Sequence, residues 1–167
     1  TQFRVRGNVA ELRGNIGHRF DAQLQALLDN YPQVNTLKLL EVPGGRLSPA
    51  AIAGARRIRT EGLTTIVPSD GWIASAGVLY FAAGKRRIVE RGGRVGVHAW
   101  RQFAFDGLGE EEIPTDPELE RNVVEFFRDM LGSSGEPFYR FTLEAAPFED
   151  IHWMTQGELR RFGVITR

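Results

Sequence analysis

Cysteine is absent from this 167-residue sequence. Disulfides, thiol nucleophiles and cysteine-ligated zinc are therefore excluded. Lysine is almost absent too: Lys38 and Lys85 stand alone, and arginine supplies the remaining permanent cations. Histidine occurs only as His18, His98 and His152. No sign of charge dominates. The 21 basic and 21 acidic residues cancel, which argues against nucleic acid or a polybasic membrane contact as partner. No apolar run is long enough to cross a membrane, and no signal peptide is visible. The chain opens at Thr1 with a strand-like segment close behind. It reads as a trimmed piece, leaving room for a signal or anchor upstream.

What is present is ordinary globular material, 42% apolar and 25% charged, in a length that can bury a core. No repeat, low-complexity tract or linker divides it, so one domain is expected over 1–167. "FRVRG", "TLKLLEV" and "LTTIVP" read as strands. "GHRFDAQLQALLDNYP" carries Phe20, Leu24, Leu27 and Leu28 at helical spacing, and Pro32 stops it. "SPAAIAGARRIRTEG" predicts a second helix, with Ser48 as cap, Pro49 at the first helical position and Gly62 as stop. "GWIASAGVLYFAAG" (71–84) reads as a buried helix ended by Gly84. "KRRIVERGGRVGVHAW" predicts two short strands about Gly92-Gly93.

Residues 101–114 read as an acidic loop or arm. Pro117 opens a helix capped by Thr115 or Asp116, with Leu119, Val123, Phe126, Phe127 and Met130 on one face. "SGEPFYRFTLEAAP" predicts another helix. A last one runs from about Thr155 to Arg161, before Gly163 and a final strand. Alternating strands and helices predict an α/β layered fold with a mainly parallel sheet.

In such sheets chemistry gathers in the turns after the strands. Three turns qualify. Gly44-Gly45 can be a plain tight turn, or can aim backbone N–H groups at an oxyanion. Ser75, among Ala74, Ala76 and Gly77, can be a helix cap or small packing residue. It can equally be a nucleophile beside the unused N–H of Ala76. Its flanks do not match the G-x-S-x-G elbow. A serine nucleophile needs a base, and His98, at the end of "GRVGV", is the best placed. His18 reads as surface, and His152 as packed beside Trp153 or solvated. Glu149 and Asp150 are the candidate carboxylates to hold an imidazole.

"VPGGRLSPAAIAGARRIR", "IASAGVLYFAAGKRRIVERGGRVGVHAW" and "HWMTQGELRRFGVI" together resemble the Clp-type serine peptidase superfamily. The shared features are the "PGG" turn, the "AS-x-G" turn with a trailing "AAG", the "R-V-x-x-H" strand, and a final "S/T-x-x-E-x-x-x-x-G-L/V". The likeness covers roughly residues 35 to 165. It is closest to bacterial Clp-like proteins predicted to be periplasmic or membrane-associated. It implies a ClpP/crotonase-like spiral of β-β-α units, with a mainly parallel sheet flanked by helices.

It also implies Ser75 as nucleophile, His98 as general base, and Gly45 and Ala76 as oxyanion donors. Gly44 and Arg46 fall at the substrate-binding turn. Counting back from Gly163, the family's aspartate falls on Ile151. Asp150, one residue away, is the expected acid. The implied substrate is a peptide or unfolded protein, bound as an added strand beside Gly44-Gly45. No metal or organic cofactor is implied. The family's oligomer-building arm falls on 99–135, so a homo-oligomer is expected. The compartment implied is periplasmic or membrane-associated, with cytoplasmic as the alternative.

Two other functions share this fold. One is a crotonase-like acyl-thioester enzyme, which needs a site for an adenine nucleotide, with Arg86-Arg87 as its phosphate candidates. The other is a non-catalytic scaffold or partner-binding module.

Overall fold

The computed structural model describes residues 1–105 and 107–166. Ten strands and six α-helices follow one another among them. β1 (Gln2–Arg6) and β2 (Val9–Arg13) form an antiparallel hairpin. After α1 (Phe20–Asn30), β3 (Thr36–Val42) pairs parallel with β2. α2 (Pro49–Thr60) follows, capped by the Ser48 side chain, which accepts from the Ala51 N–H. The local signals for that helix, a cap and a proline at its first turn, act as expected.

At β3 the sheet divides. Its first half pairs with β4 (Thr64–Val67), which pairs with β6 (Arg86–Val89). Its last residues pair with β5 (Trp72–Ala74), which pairs with β7 (Arg94–Val97). All four of these pairings are parallel. The chain thus visits one row with β4, the other with β5, crosses over by α3 (Gly77–Ala82), and repeats with β6 and β7. This is the spiral of strand-strand-helix units that the sequence led us to expect.

Several segments differ from expectation. The apolar stretch 71–84 is not one helix. Its start, Trp72–Ala74, is β5, because β3 and β7 flank it and supply ladder partners on both sides. The arm is not a loop: β8 (Gln102–Phe105) and β9 (Glu110–Ile113) form an antiparallel hairpin. The two strands about Gly92-Gly93 lie in different rows. α4 (Pro117–Leu131) buries the predicted face, and α5 (Gly135–Ala145) packs on it. β10 (His152–Trp153) then runs antiparallel to β7, and α6 (Gln156–Arg161) follows.

No strand follows Gly163 among the described residues. Instead Arg87 holds that segment. Its buried guanidinium donates to the carbonyls of Val164 at 2.8 Å, and of Gly84 and Gly163 at 3.0 Å each. Burial, with Arg59 nearby, pushes its pKa down to about 10. Arg87→Met leaves the Val164 and Gly163 carbonyls without their donor, while the Gly84 carbonyl keeps Arg59 at 3.3 Å. It is expected to lower the unfolding free energy by about 3 kcal/mol, measured by urea denaturation. Among the described residues no helix is long and apolar enough to cross a membrane.

Candidate active site

The strand order β3-β5-β7 sets the site. Val42 pairs with Ile73, and Ala74 with Gly96. Parallel strands end on the same side, so the three turns that follow lie in a row. They carry Gly44-Gly45, Ser75-Ala76 and His98.

Ser75 is the only non-glycine residue at positive φ among the described residues, at 54°. The cause is local. Its N–H still belongs to the sheet, donating to the Gly96 carbonyl at 3.1 Å. Its own carbonyl already starts the helix, accepting from the Val78 N–H at 3.0 Å. One residue must turn strand into helix, and the left-handed region does so at a cost of about 1–2 kcal/mol.

Gly44 touches this turn. A Cβ built on it would stand 2.9 Å from Ser75 Cβ and 3.1 Å from Ala76 N. Its φ of 118° also suits glycine alone. At Gly45 a Cβ would strike the carbonyl oxygen of Ile16. That segment is fixed in place by the Ile16 N–H donating to the Gly44 carbonyl at 2.8 Å. Neither the Gly45 N–H nor the Ala76 N–H donates to a protein acceptor among the described residues. Both residues line the same cavity as Ser75 and His98. Two unpaired donors beside a strained serine can stabilise a tetrahedral oxyanion.

His98 Nδ1 lies 3.0 Å from the Phe148 carbonyl oxygen. A carbonyl only accepts, so Nδ1 carries the hydrogen, and in the neutral ring the lone pair is then on Nε2. That is the tautomer a general base needs. Ser75 Oγ makes no hydrogen bond among the described residues, so the expected Ser75–His98 pair is not formed here, although both side chains line the same cavity.

The carboxylate predicted for this site is not brought to it. Asp150 is exposed, and its Oδ1 accepts from the Ile151 N–H at 2.7 Å. Glu149 pairs with Arg101 at 3.0 Å. β10 pairs with β7 so that His152 opposes Val97. Ile151, where the family's aspartate would fall, is apolar, and its side chain lies against Gly96. Backbone carbonyl thus stands where the sequence suggested an acid.

The cavity holds about 480 Å³. Leu79, Val97, Leu119, Val123 and Phe127 line its apolar part. Trp100 Nε1–H donates to the Tyr139 hydroxyl, which in turn donates to Glu120, each at 3.2 Å. Burial, chiefly, pushes the Tyr139 phenol up to about 12. Arg46 lies at the mouth, paired with Glu110 of β9 at 2.7 Å. The pairing ties the Gly45 loop to the hairpin.

The remaining histidines stand apart. His18 is exposed, and His152 lies 3.1 Å from the Glu158 carboxylate. Arg87, a phosphate candidate for the crotonase-like reading, is only 7% exposed, and its guanidinium is spent on carbonyls. No cluster of metal-ligating side chains occurs among the described residues. Sequence reasoning did not find Phe148, Arg101, Trp100 or Tyr139. A backbone acceptor leaves no mark in a sequence, and the others meet only in space.

No protein-family model and no curated protein sequence matches this chain. Solved structures do. A mutant of the 1510-N membrane-bound stomatin-specific protease is similar with a TM-score of 0.65 at 18% identity, over 95% of this chain and 76% of that one. A ClpP1 mutant from Listeria monocytogenes gives 0.59 at 17% identity, over 95% of this chain and 89% of that one. An enoyl-CoA hydratase from Geobacillus kaustophilus gives 0.57 at 12% identity, over 99% of this chain and 66% of that one. The chain has the ClpP/crotonase fold. A protease, ClpP1 and an enoyl-CoA hydratase all stand among its structural neighbours, so the chemistry rests on the site.

Proposed function

We propose that this protein is a serine peptidase that cleaves peptide bonds through an acyl-enzyme. Ser75 Oγ attacks the scissile carbonyl as His98 Nε2 takes its proton. The Gly45 and Ala76 N–H groups hold the oxyanion. His98 then protonates the leaving amine, and water, deprotonated by the same nitrogen, releases the acyl group. The observation that carries this reading is one cavity holding a serine at φ 54°, an imidazole in the base tautomer and two unpaired N–H donors.

The substrate we infer is a peptide or unfolded protein in extended form, lying beside Gly44 and Arg46. The apolar cavity favours a large apolar side chain next to the cleaved bond. Assembly as a homo-oligomer through the 99–135 region is part of the same reading. So is a periplasmic or membrane-associated setting, with the cytoplasm as the alternative.

A non-catalytic scaffold is the second reading, motivated by the missing carboxylate at His98. A fluorophosphonate probe separates the two. The expected result is a covalent adduct mapped by mass spectrometry to Ser75, lost in His98→Ala. An unlabelled Ser75 in the full-length, assembled protein would leave the scaffold.

A further inference from the structure

The carbonyl that holds His98 belongs to a half-exposed loop, and named contacts fasten that loop. The Ala99 N–H donates to the Ala146 carbonyl at 2.8 Å, tying the chain two residues before Phe148 to the residue after His98. The Phe148 ring stands 5.6 Å from the His98 ring and 5.5 Å from the Phe103 ring. The Arg101 guanidinium covers the same ring at 5.3 Å. Arg101 also reaches Glu149 at 3.0 Å and Glu112 of β9 at 3.2 Å. One side chain therefore grips the ring of Phe148, the next residue along, and the hairpin.

We propose that the Phe148 backbone carbonyl orients His98 in place of a carboxylate, and that Arg101 is the positioning residue that keeps this carbonyl aimed. Its consequence for turnover rests on the peptidase reading; its consequence for the imidazole does not. An imidazole can flip between tautomers and rotate about its own bonds. A fixed acceptor at Nδ1 stops both. A side-chain carboxylate would bring its own rotamer and charge. A peptide carbonyl brings neither, so its aim depends on the backbone, and exposed loop backbone holds still only when anchored. Arg101 is suited to this, because a planar guanidinium can stack on a ring and bridge carboxylates together, whereas an ammonium cannot stack.

The test reads the imidazole directly. Protein labelled with 15N-histidine gives separate ring signals for His18, His98 and His152, assigned from His18→Gln and His152→Gln. In the parent protein, His98 is expected to show a protonated Nδ1 and an unprotonated Nε2. In Arg101→Gln the two nitrogens are expected to move toward averaged values. The rate of probe labelling at Ser75 should fall by about 100-fold, as for a base misplaced by an ångström. Arg101→Lys, which keeps the charge and loses the stacking, should fall between. Asp150→Asn should leave both readouts unchanged.

A parent His98 protonated at Nε2 overturns the proposal. So does an Arg101→Gln protein that keeps the parent His98 signals. So does Asp150→Asn shifting His98 while Arg101→Gln does not. A parent protein with the expected signals but no labelling at Ser75 would instead overturn the peptidase reading and leave the orientation of His98 standing.

Discussion

Replacing Ser75 by glycine is expected, on the proposed peptidase reading, to abolish peptide hydrolysis, and in any case to leave a protein more stable than Ser75→Ala. Both substitutions remove the nucleophile, so activity should fall by about 10⁴-fold or more in each. They differ in what they do to the backbone. Ser75 sits at φ 54°. Alanine keeps the Cβ that makes this region costly, and glycine removes it. Glycine also loosens the unfolded chain, which offsets part of the gain. The net advantage of glycine over alanine should be about 1 kcal/mol, or a few degrees in Tm, read by thermal unfolding. Equal stability of the two variants would mean that the turn is unstrained, and the structural argument for a functional serine would lose its base.

Gly45→Ala should also have a large effect, but in the opposite sense for stability. Its Cβ meets the Ile16 carbonyl, and Ile16 is held by its own hydrogen bond to Gly44. The loop must shift, at a cost of about 1–3 kcal/mol. On the proposed peptidase reading, the shift displaces the Gly45 N–H from the oxyanion it would hold together with the Ala76 N–H. Loss of one such donor reduces kcat by about 10²–10³-fold while KM changes little. Steady-state kinetics on a peptide checks this. A fall in affinity alone would place Gly45 in substrate binding rather than in charge stabilisation.

The sequence carried the helices well because their signals are local. Ser48 and Pro49 start α2, Asp116 and Pro117 start α4, and Leu119, Val123, Phe126, Phe127 and Met130 fall on one buried face. The ordered turns of Gly44-Gly45, Ser75 and His98 were legible too, through residue type and family likeness. The hairpin of β8 and β9 was not. Glu110, Glu111 and Glu112 have little strand preference of their own, and pairing with Gln102–Phe105 makes them a strand.

β5 was hidden for a related reason. Trp72, Ile73 and Ala74 suit a buried helix as well as a strand. The ladders offered by β3 and β7 decide between them, and those partners are distant in sequence. Ser75 depends on that outcome, since its left-handed turn exists only because a strand must become a helix there. The partner of His98 shows the same limit more sharply. Side-chain chemistry offered Glu149 and Asp150, and the family likeness chose Asp150, because side chains are what a sequence spells out. Every residue has a backbone carbonyl, so nothing marks the one at Phe148. Its role comes from the pairing of β10 with β7, which brings the preceding loop past the imidazole. Residue types and local spacing thus specified the helices and the candidate groups. Which groups meet, and through which atoms, followed from long-range strand pairing.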